Sequence, residues 1–416
     1  MVKFHPSVFN GCIKAPASEA NAQRLLFASA MGSTRTLIHN MPECGSVDTS
    51  IECLKEFGCS FSIDEYNKGA LVVEPFVKTN PIPSASFNFG DSSVSSRFTV
   101  PLASVIGMRA DCLASEGLIM KRQMFPLTSR MAIRGVSFTN FSLPFSMQGR
   151  LASGEFAFSS EDDPQCISAL MMALPVLRGD SDILMDGELS DPSSVDMTID
   201  VLSRFGIRVD KTEKGYRISG GQAYVSPQRL TVDNDWLLAN VWVTTGVFSA
   251  RNGGRVEIEE LSPTSSQLYR NMSPAYALLS QDFRELNLDC SDFPEMSTVF
   301  AAAAAFKGAT LHLSGCSPIK HGDSNRFTNL KQLVESIGGS CVLTEGGMDV
   351  SGDPDFNYEN KALNYMDDPW MFISIAAAAP MLRYPVIIEN EHGADRIYRN
   401  FLKDYNALGG KFEIIE

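Results

Sequence analysis

The sequence predicts an α/β chain in two domains, and three observations carry that expectation. Helix-like and strand-like segments alternate along nearly its whole length. One block recurs, in which a helical run ends at glycine and drops into a short strand. It stands at Phe57-Gly58-Cys59, Arg134-Gly135-Val136, Phe205-Gly206-Ile207, Ile337-Gly338-Gly339 and Leu408-Gly409-Gly410, with a sixth, degraded copy expected near Leu278 to Leu288. The spacing of roughly 70 residues exceeds the solenoid periods of roughly 20–50. Each block is therefore a supersecondary unit of its own, and six of them divide into two groups of three.

Taken in order, Glu19 to Met31 has helical periodicity, with Leu25, Leu26, Ala28 and Ala30 on one side. Val47 to Phe57 repeats it, with Asp48 placed to support the helix start. Ser93 to Ile106, Pro164 to Leu177 and Val195 to Phe205 read likewise. The second half offers Asn234 to Phe248, Glu295 to Phe306, Asn325 to Ile337, Trp370 to Leu382 and Arg396 to Leu408. Strands are expected at Ala70–Val73, Arg217–Ser219, Thr310–Leu313 and Val386–Ile388, between Gly- and Asp-rich turns. A boundary falls near Gln228 to Thr231, after an irregular run from Gly220 to Pro227. The expected domains are 15–230, and 1–14 together with 231–416. Val2 to Ile13 then supplies a strand to the second domain, because the last unit ends at the C-terminus.

At 416 residues and 44% hydrophobic, the chain can build two real cores. Its net charge of −14 disfavours nucleic acid, which needs a basic face. A small anion can still find a local basic pocket. The N-terminus lacks the apolar stretch of a signal peptide, and the densest apolar run, Phe300 to Phe306, is too short to span a bilayer. Nine cysteines without a paired spacing read as reduced thiols in a cytosolic protein. Five scattered histidines give no metal set, so no metal or cofactor is expected. The acidic run Glu161-Asp162-Asp163 reads as a solvated turn rather than a cation site.

Several motifs occur in a telling order: Ala17-Ser18-Glu19-Ala20-Asn21 through Arg24; Gly90-Asp91-Ser92-Ser93 through Arg97, then Pro101-Leu102; Lys121-Arg122-Gln123; Gln165-Cys166-Ile167-Ser168; Asp196-Met197-Thr198; and Asp323-Ser324-Asn325-Arg326. Together they resemble the enolpyruvyl (carboxyvinyl) transferases, the 5-enolpyruvylshikimate-3-phosphate (EPSP) synthase branch above all. The resemblance runs nearly end to end. It implies an inside-out α/β barrel in each of two domains, six βαβαββ units in all, and an active site in the cleft between the domains. It also implies small anionic partners: a shikimate-like carboxylate and phosphoenolpyruvate. Phosphoenolpyruvate and a phosphorylated acceptor demand clustered arginine and lysine, together with an acid and a base. By resemblance Arg24 faces the acceptor carboxylate. Arg122, Arg326 and Arg396 clamp phosphoenolpyruvate, Gln165 touches both substrates, and Arg97 belongs to the substrate-binding set. Taken singly, each is equally readable as a surface arginine. A monomer is expected.

The departures from the family pattern matter as much. Glu19 stands where the family carries a lysine. Asp163 and Pro164 replace the two serines that grip the acceptor phosphate. Gly322, or His321 if the loop slips, replaces another lysine, and Asp323 replaces the glutamate beside it. Trp370 replaces an arginine, Glu295 is the counterpart of a catalytic aspartate, and Gly117 leaves no thiol acid. Removing one preorganised charge stabiliser typically costs about 10²–10³ in rate. A carboxylate at about 4 Å from a phosphate is repulsive by several kcal/mol. Unmodified EPSP synthesis is therefore doubtful on the sequence. One reading is an enzyme with shifted chemistry, enolpyruvyl transfer or elimination of phosphate or water, using Glu19, Glu295 and Asp323. The other is a non-catalytic ligand-binding or regulatory protein of the same fold, which the Trp370 replacement favours. A third pairs Glu19 and Asp163 with an amine on the substrate.

Overall fold

The computed structural model describes residues 1–67, 69–76, 82–121, 124–189, 192–261, 272–320 and 326–415. Contacts divide the chain into two units, a continuous one from Ala17 to Asp233 and a discontinuous one made of Met1–Pro16 and Asn234–Glu416.

The continuous unit holds three four-stranded sheets of one topology. In the second and third, two parallel strands bracket a buried helix along the chain, and in all three a second helix leads into an antiparallel pair that completes the sheet. The second sheet orders Ser84–Asn88, Arg109–Leu113, Phe145–Gly149 and Val136–Phe138. The third orders Glu155–Ser159, Ser181–Asp186, Gly215–Ile218 and Asp210–Thr212. The first takes its edge strand, Arg229–Thr231, from the end of the unit and lays it parallel to Thr36–His39. Ala70–Glu74 and Ser60–Asp64 follow antiparallel.

Helices Glu19–Ala30, Ser93–Ile106 and Pro164–Ala173 are buried almost all round. Such helices have no polar stripe to turn outward. The serine-rich one satisfies two of its hydroxyls on its own carbonyls, Ser96 to Ser93 at 2.8 Å and Ser104 to Pro101 at 2.7 Å. Gly45–Glu56, Phe125–Ile133 and Pro192–Arg204 are the companion helices. The helix at Pro164 stops at Ala173 and tightens into one 3₁₀ turn, Leu174–Val176, where Pro175 removes a donor.

The discontinuous unit repeats the plan. Glu285–Asp289, Thr310–Ser314, Met348–Ser351 and Ser340–Leu343 form one sheet, in that order. Lys361–Leu363, Val386–Ile388, Val2–Phe4 and Phe412–Ile414 form another. The N-terminal segment supplies two strands rather than one: Val2–Phe4 lies inside this sheet, and Gly11–Lys14 pairs parallel with Val256–Glu259. The alanine-rich helix Ser297–Lys307 and helix Pro369–Ala377 run through the core, beside Trp236–Ser249.

Two expectations need correction. The helix expected from Arg396 spans only Phe401–Ala407, and Arg396 lies in the turns before it. Those turns persist because Tyr398 folds back into the core, donating to Asp404 and packing on Trp242 and Phe401. The weak block is the one opening at Trp236, whose sheet has two strands among the described residues. Leu286 to Leu288 instead belong to the first strand of the next sheet.

Candidate functional site

In the continuous unit the first turns of several helices meet at one end. Ser18 caps Glu19–Ala30 by accepting from Asn21 N–H at 3.3 Å, and Ser92 caps Ser93–Ile106 by accepting from Ser95 N–H at 3.3 Å. Ser95 also bonds Ser50 at 2.8 Å and Ser92 at 2.7 Å. Capping serines and unpaired N–H groups at a helix start make a positive end that favours anions. Glu19, half-buried, is the first residue of its helix and so places a carboxylate at that end.

Arg24 is buried and held on the start of helix Pro192–Arg204. Its Nε donates to Thr198 Oγ1 at 2.8 Å, and its Nη2 donates to Ser194 Oγ at 2.9 Å and to the Ser194 carbonyl at 3.0 Å. Its Nη1 donates to the Ala20 carbonyl at 2.9 Å, and its guanidinium lies over the Phe98 ring.

Arg97, 1% exposed, donates to the Ser93 carbonyl at 3.2 Å and pairs with Asp163 Oδ2 at 3.2 Å. Burial works against its charge, but Asp163 and the Cys166 thiol more than offset this and hold it protonated more firmly than an ordinary arginine. Asp163 is also the N-cap of the next helix, its Oδ1 accepting from Gln165 N–H at 2.9 Å. One carboxylate thus closes a helix end and neutralises a buried guanidinium. Gln165 follows, with its side-chain oxygen shielded from solvent and without a hydrogen-bond partner among the described residues.

The discontinuous unit contains the same device. Asp368, 1% exposed, caps Pro369–Ala377 by accepting from Trp370 N–H at 3.0 Å, and its Oδ2 accepts from Arg326 Nε at 3.1 Å. Arg326 opens helix Arg326–Ser336 and lies over the Trp370 ring, 5.7 Å from its centroid. Pro follows the capping Asp in both units, as Asp163-Pro164 and Asp368-Pro369, where its missing N–H costs nothing.

A hydrogen-bond chain joins Glu295 to this cluster. Thr298 Oγ1 lies 3.0 Å from the Glu295 carbonyl and 2.8 Å from Ser374 Oγ, which lies 2.7 Å from the Trp370 carbonyl; the two hydroxyl protons serve two of these three contacts at a time. Arg326 and the Trp370 ring therefore come together, and the Glu295 backbone is linked to the Trp370 backbone through Thr298 and Ser374. Arg396 lies near Tyr365, whose phenol burial pushes up and the Arg396 charge pulls down. Arg122 and Asp323 lie outside the described residues, as do His321 and Gly322. Asp368 was missed from the sequence; its signal was the Asp-Pro pair opening both helices. A groove of about 730 Å³ on the solvent face of the second sheet, lined by Ser84, Arg109, Asp111 and Ser146, includes none of the candidate residues.

The fold defines a class: two-domain α/β proteins of repeated βαβ-type units. The family model for EPSP synthase (3-phosphoshikimate 1-carboxyvinyltransferase) matches residues 5–405, and the chain belongs to that family. Among curated relatives, the 3-phosphoshikimate 1-carboxyvinyltransferase of Clostridium perfringens is 23% identical over 428 residues, covering 97% of each chain. That of Clostridium novyi is 24% identical over 436 residues, covering 98% of this chain and 97% of the relative. The EPSP synthase structure from Acinetobacter baumannii superposes with a TM-score of 0.78 at 15% identity, covering 100% of this chain and 99% of that one. The structural likeness establishes the fold. No helix among the described residues is long and apolar enough to cross a membrane.

Proposed function

We propose that this protein is an EPSP-synthase-type enzyme that takes an unphosphorylated shikimate-like or cyclitol carboxylate as acceptor, with phosphoenolpyruvate or phosphate as the second anion. The observation that carries this reading is the Asp163–Arg97 pair. In the family pattern the Asp163 position grips the acceptor phosphate through a serine. Here a carboxylate already occupies that helix start and already pairs with the buried guanidinium. Bringing one further unit of negative charge within about 4 Å costs about 4 kcal/mol at an effective dielectric of about 20. Arg97 screens part of that cost. Even half of it weakens binding by more than about tenfold.

On the family pattern the second anion is assigned to Arg326 and Arg396; Arg326 is held by Asp368 through its Nε at 3.1 Å and covered by Trp370, so an anion there meets the same kind of built-in carboxylate as at Arg97. Gln165 supplies an acceptor for a substrate hydroxyl. Glu19, Glu295 and Asp323 are the carboxylates to move protons. In transfer, an acceptor hydroxyl gives its proton to one carboxylate as its oxygen bonds to C2 of phosphoenolpyruvate, while C3 takes a proton from another. The bond from C2 to the phosphate oxygen then breaks, and C3 returns its proton. Elimination of water from the acceptor needs only the base and a stabilised leaving group.

Phosphorus NMR tests the reading. Phosphate released from phosphoenolpyruvate with shikimate, but not with shikimate 3-phosphate, is the expected result. EPSP formed from shikimate 3-phosphate and phosphoenolpyruvate would overturn the role given to Asp163. Phosphate released from shikimate 3-phosphate alone would mark an eliminase that accepts the phosphorylated ring. Ligand-induced shifts without turnover would leave a non-catalytic binder.

A further inference from the structure

The three buried helices of the continuous unit carry candidate residues at their starts, and their far ends enclose a cavity. Met31 is the C-cap of Glu19–Ala30, Ile106 ends Ser93–Ile106, and Val176 ends the 3₁₀ turn after Pro164–Ala173. With Phe76, Val105 and Ala223 they give apolar walls to a pocket of about 330 Å³, and Arg150 and Gln222 supply its polar side chains. The pocket shares no residue with the candidate site. Ile106 stands 14 residues after the cap Ser92, about 20 Å along the helix at about 1.5 Å per residue. Hydrogen bonds fix the rim. Gln222 Oε1 accepts from Arg208 N–H at 2.8 Å, and its Nε2 donates to the Arg208 carbonyl at 3.0 Å and to the Ser219 carbonyl at 2.8 Å. Gln222 N–H donates to the Pro175 carbonyl at 2.9 Å, and Leu151 N–H donates to the Ser104 carbonyl at 3.1 Å. Exposed Arg150 is held at the edge by Nη2, which donates to the Ile106 carbonyl at 3.2 Å. Among the described residues this guanidinium has no carboxylate partner. Closing a helix end accounts for one of its N–H groups and not for the apolar cavity beside it. A preformed, mostly apolar cavity with a few placed polar groups is the usual form of a small-molecule site.

We propose that this pocket binds a small apolar monocarboxylate, with the carboxylate on Arg150 and the hydrocarbon body among Met31, Phe76, Val105 and Val176. The walls reward a hydrocarbon body, because apolar surface on both sides leaves water. The guanidinium fork matches a carboxylate and can hold it through two parallel bonds. The charge of the ligand follows from the helix ends. C-termini carry partial negative charge, and two α-helices and a 3₁₀ turn finish at this cavity. One guanidinium balances one unit charge against them, so a phosphate dianion is disfavoured. A cation suits the helix ends but meets Arg150. The pocket is thus selective for a single negative charge on an apolar body, whereas the first turns at the other end of the same helices favour compact anions. No part of this inference depends on the EPSP-synthase-type chemistry.

The test titrates the whole protein with phenylpropanoate and with octanoate, and with phenylpropanol and phenylpropylamine as the uncharged and cationic counterparts. Calorimetry gives affinity, and methyl NMR gives the location. Saturable shifts at the methyls of Met31, Val105, Ile106 and Val176 are expected with a carboxylate. Phenylpropanoate should bind at least about fivefold more tightly than phenylpropanol, as expected for a hydrogen bond between charged groups. Arg150→Gln keeps a donor for the Ile106 carbonyl and should abolish that preference. Ala223→Trp, at an exposed position in the rim, fills the cavity. It should weaken both carboxylates by at least about tenfold, because the filled space no longer admits the body. Tighter binding of phenylpropanoate identifies an aromatic body and tighter binding of octanoate an alkyl chain; either supports the site. Shifts centred on other methyls would overturn the proposal, as would a carboxylate preference that survives in Arg150→Gln. Tightest binding of the amine would overturn the sign of the charge. No binding of either carboxylate up to its solubility limit would remove the site altogether.

Discussion

Asp163 and Asp368 each perform two tasks with one carboxylate, and this coupling makes them vulnerable. Removing one partner of a buried ion pair costs about 3–5 kcal/mol, because the other charge is stranded, and losing an N-cap adds about 1 kcal/mol. Asp163→Ala should therefore lose about 4 kcal/mol in urea unfolding; a loss below about 1 kcal/mol would mean the pair contributes little. Asp163→Ser separates the two tasks, since serine still caps the helix. It should leave Arg97 available to an external anion, so that 10 mM phosphate raises the melting temperature of this variant and not of the wild type. An equal response in both proteins would contradict the proposal that Asp163 acts as a built-in anion. Neither pairing was legible from the sequence. Asp163 was readable as a departure from a serine and Arg97 as part of a motif, but 66 positions separate them, and only the packed helices bring them together. Asp368 carried no sign beyond its proline. Glu295 and Trp370 were legible one at a time, while the Thr298–Ser374 link between them depends on two helices meeting.

At the scale of elements, the recurring glycine was the most legible feature, because its cause is local. All five glycines of the repeat have positive φ, including Gly206 at +74° and Gly338 at +82°. There L-residues with a Cβ are strained by about 1–2 kcal/mol. The surroundings of the two differ. A Cβ on Gly206 would approach no closer than 3.7 Å, to Val225, whereas on Gly338 it would sit 2.3 Å from the Phe356 ring. Gly206→Ala should cost about 1 kcal/mol, and Gly338→Ala at least about 2 kcal/mol more once the ring must move. Equal losses on chemical denaturation would show that the ring moves freely.

Sheet faces carry a second test. His312 Nδ1 bonds Asp349 at 2.7 Å and Nε2 bonds Glu285 at 3.2 Å across neighbouring strands. The Asp349 hydrogen bond raises the imidazole above its usual 6.5, with burial opposing and Glu285 assisting. The folded state therefore binds the proton more tightly than the unfolded state. The stabilisation is fully present below pH 6.5 and is lost as pH rises through the raised midpoint. An NMR titration of His312 should show that midpoint and its return towards 6.5 in Asp349→Asn; an unchanged midpoint in the variant would exclude the aspartate as the cause.

At the scale of the whole molecule, the two units differ in how the chain enters them, and this predicts different behaviour when the chain is cut. The continuous unit contains every strand of its three sheets, including the returning Arg229–Thr231, and a core cluster formed only by its own residues. The discontinuous unit depends on its first residues. Val2–Phe4 stands between Val386–Ile388 and Phe412–Ile414, and its Phe4 packs on Phe372 and Tyr405. Without it, two strands lose their partners and expose a sheet edge. The alternation of helix and strand made this architecture readable, whereas the placement of Val2–Phe4 inside a sheet depended on pairing across almost the full chain length. A fragment of residues 17–233 should fold alone, with one cooperative urea transition. A fragment of residues 234–416 should not, and should regain cooperativity when a peptide of residues 1–16 is added. A cooperative transition in 234–416 by itself would show that the N-terminal strands decorate this unit rather than complete it, and failure of 17–233 to fold would refute its independence.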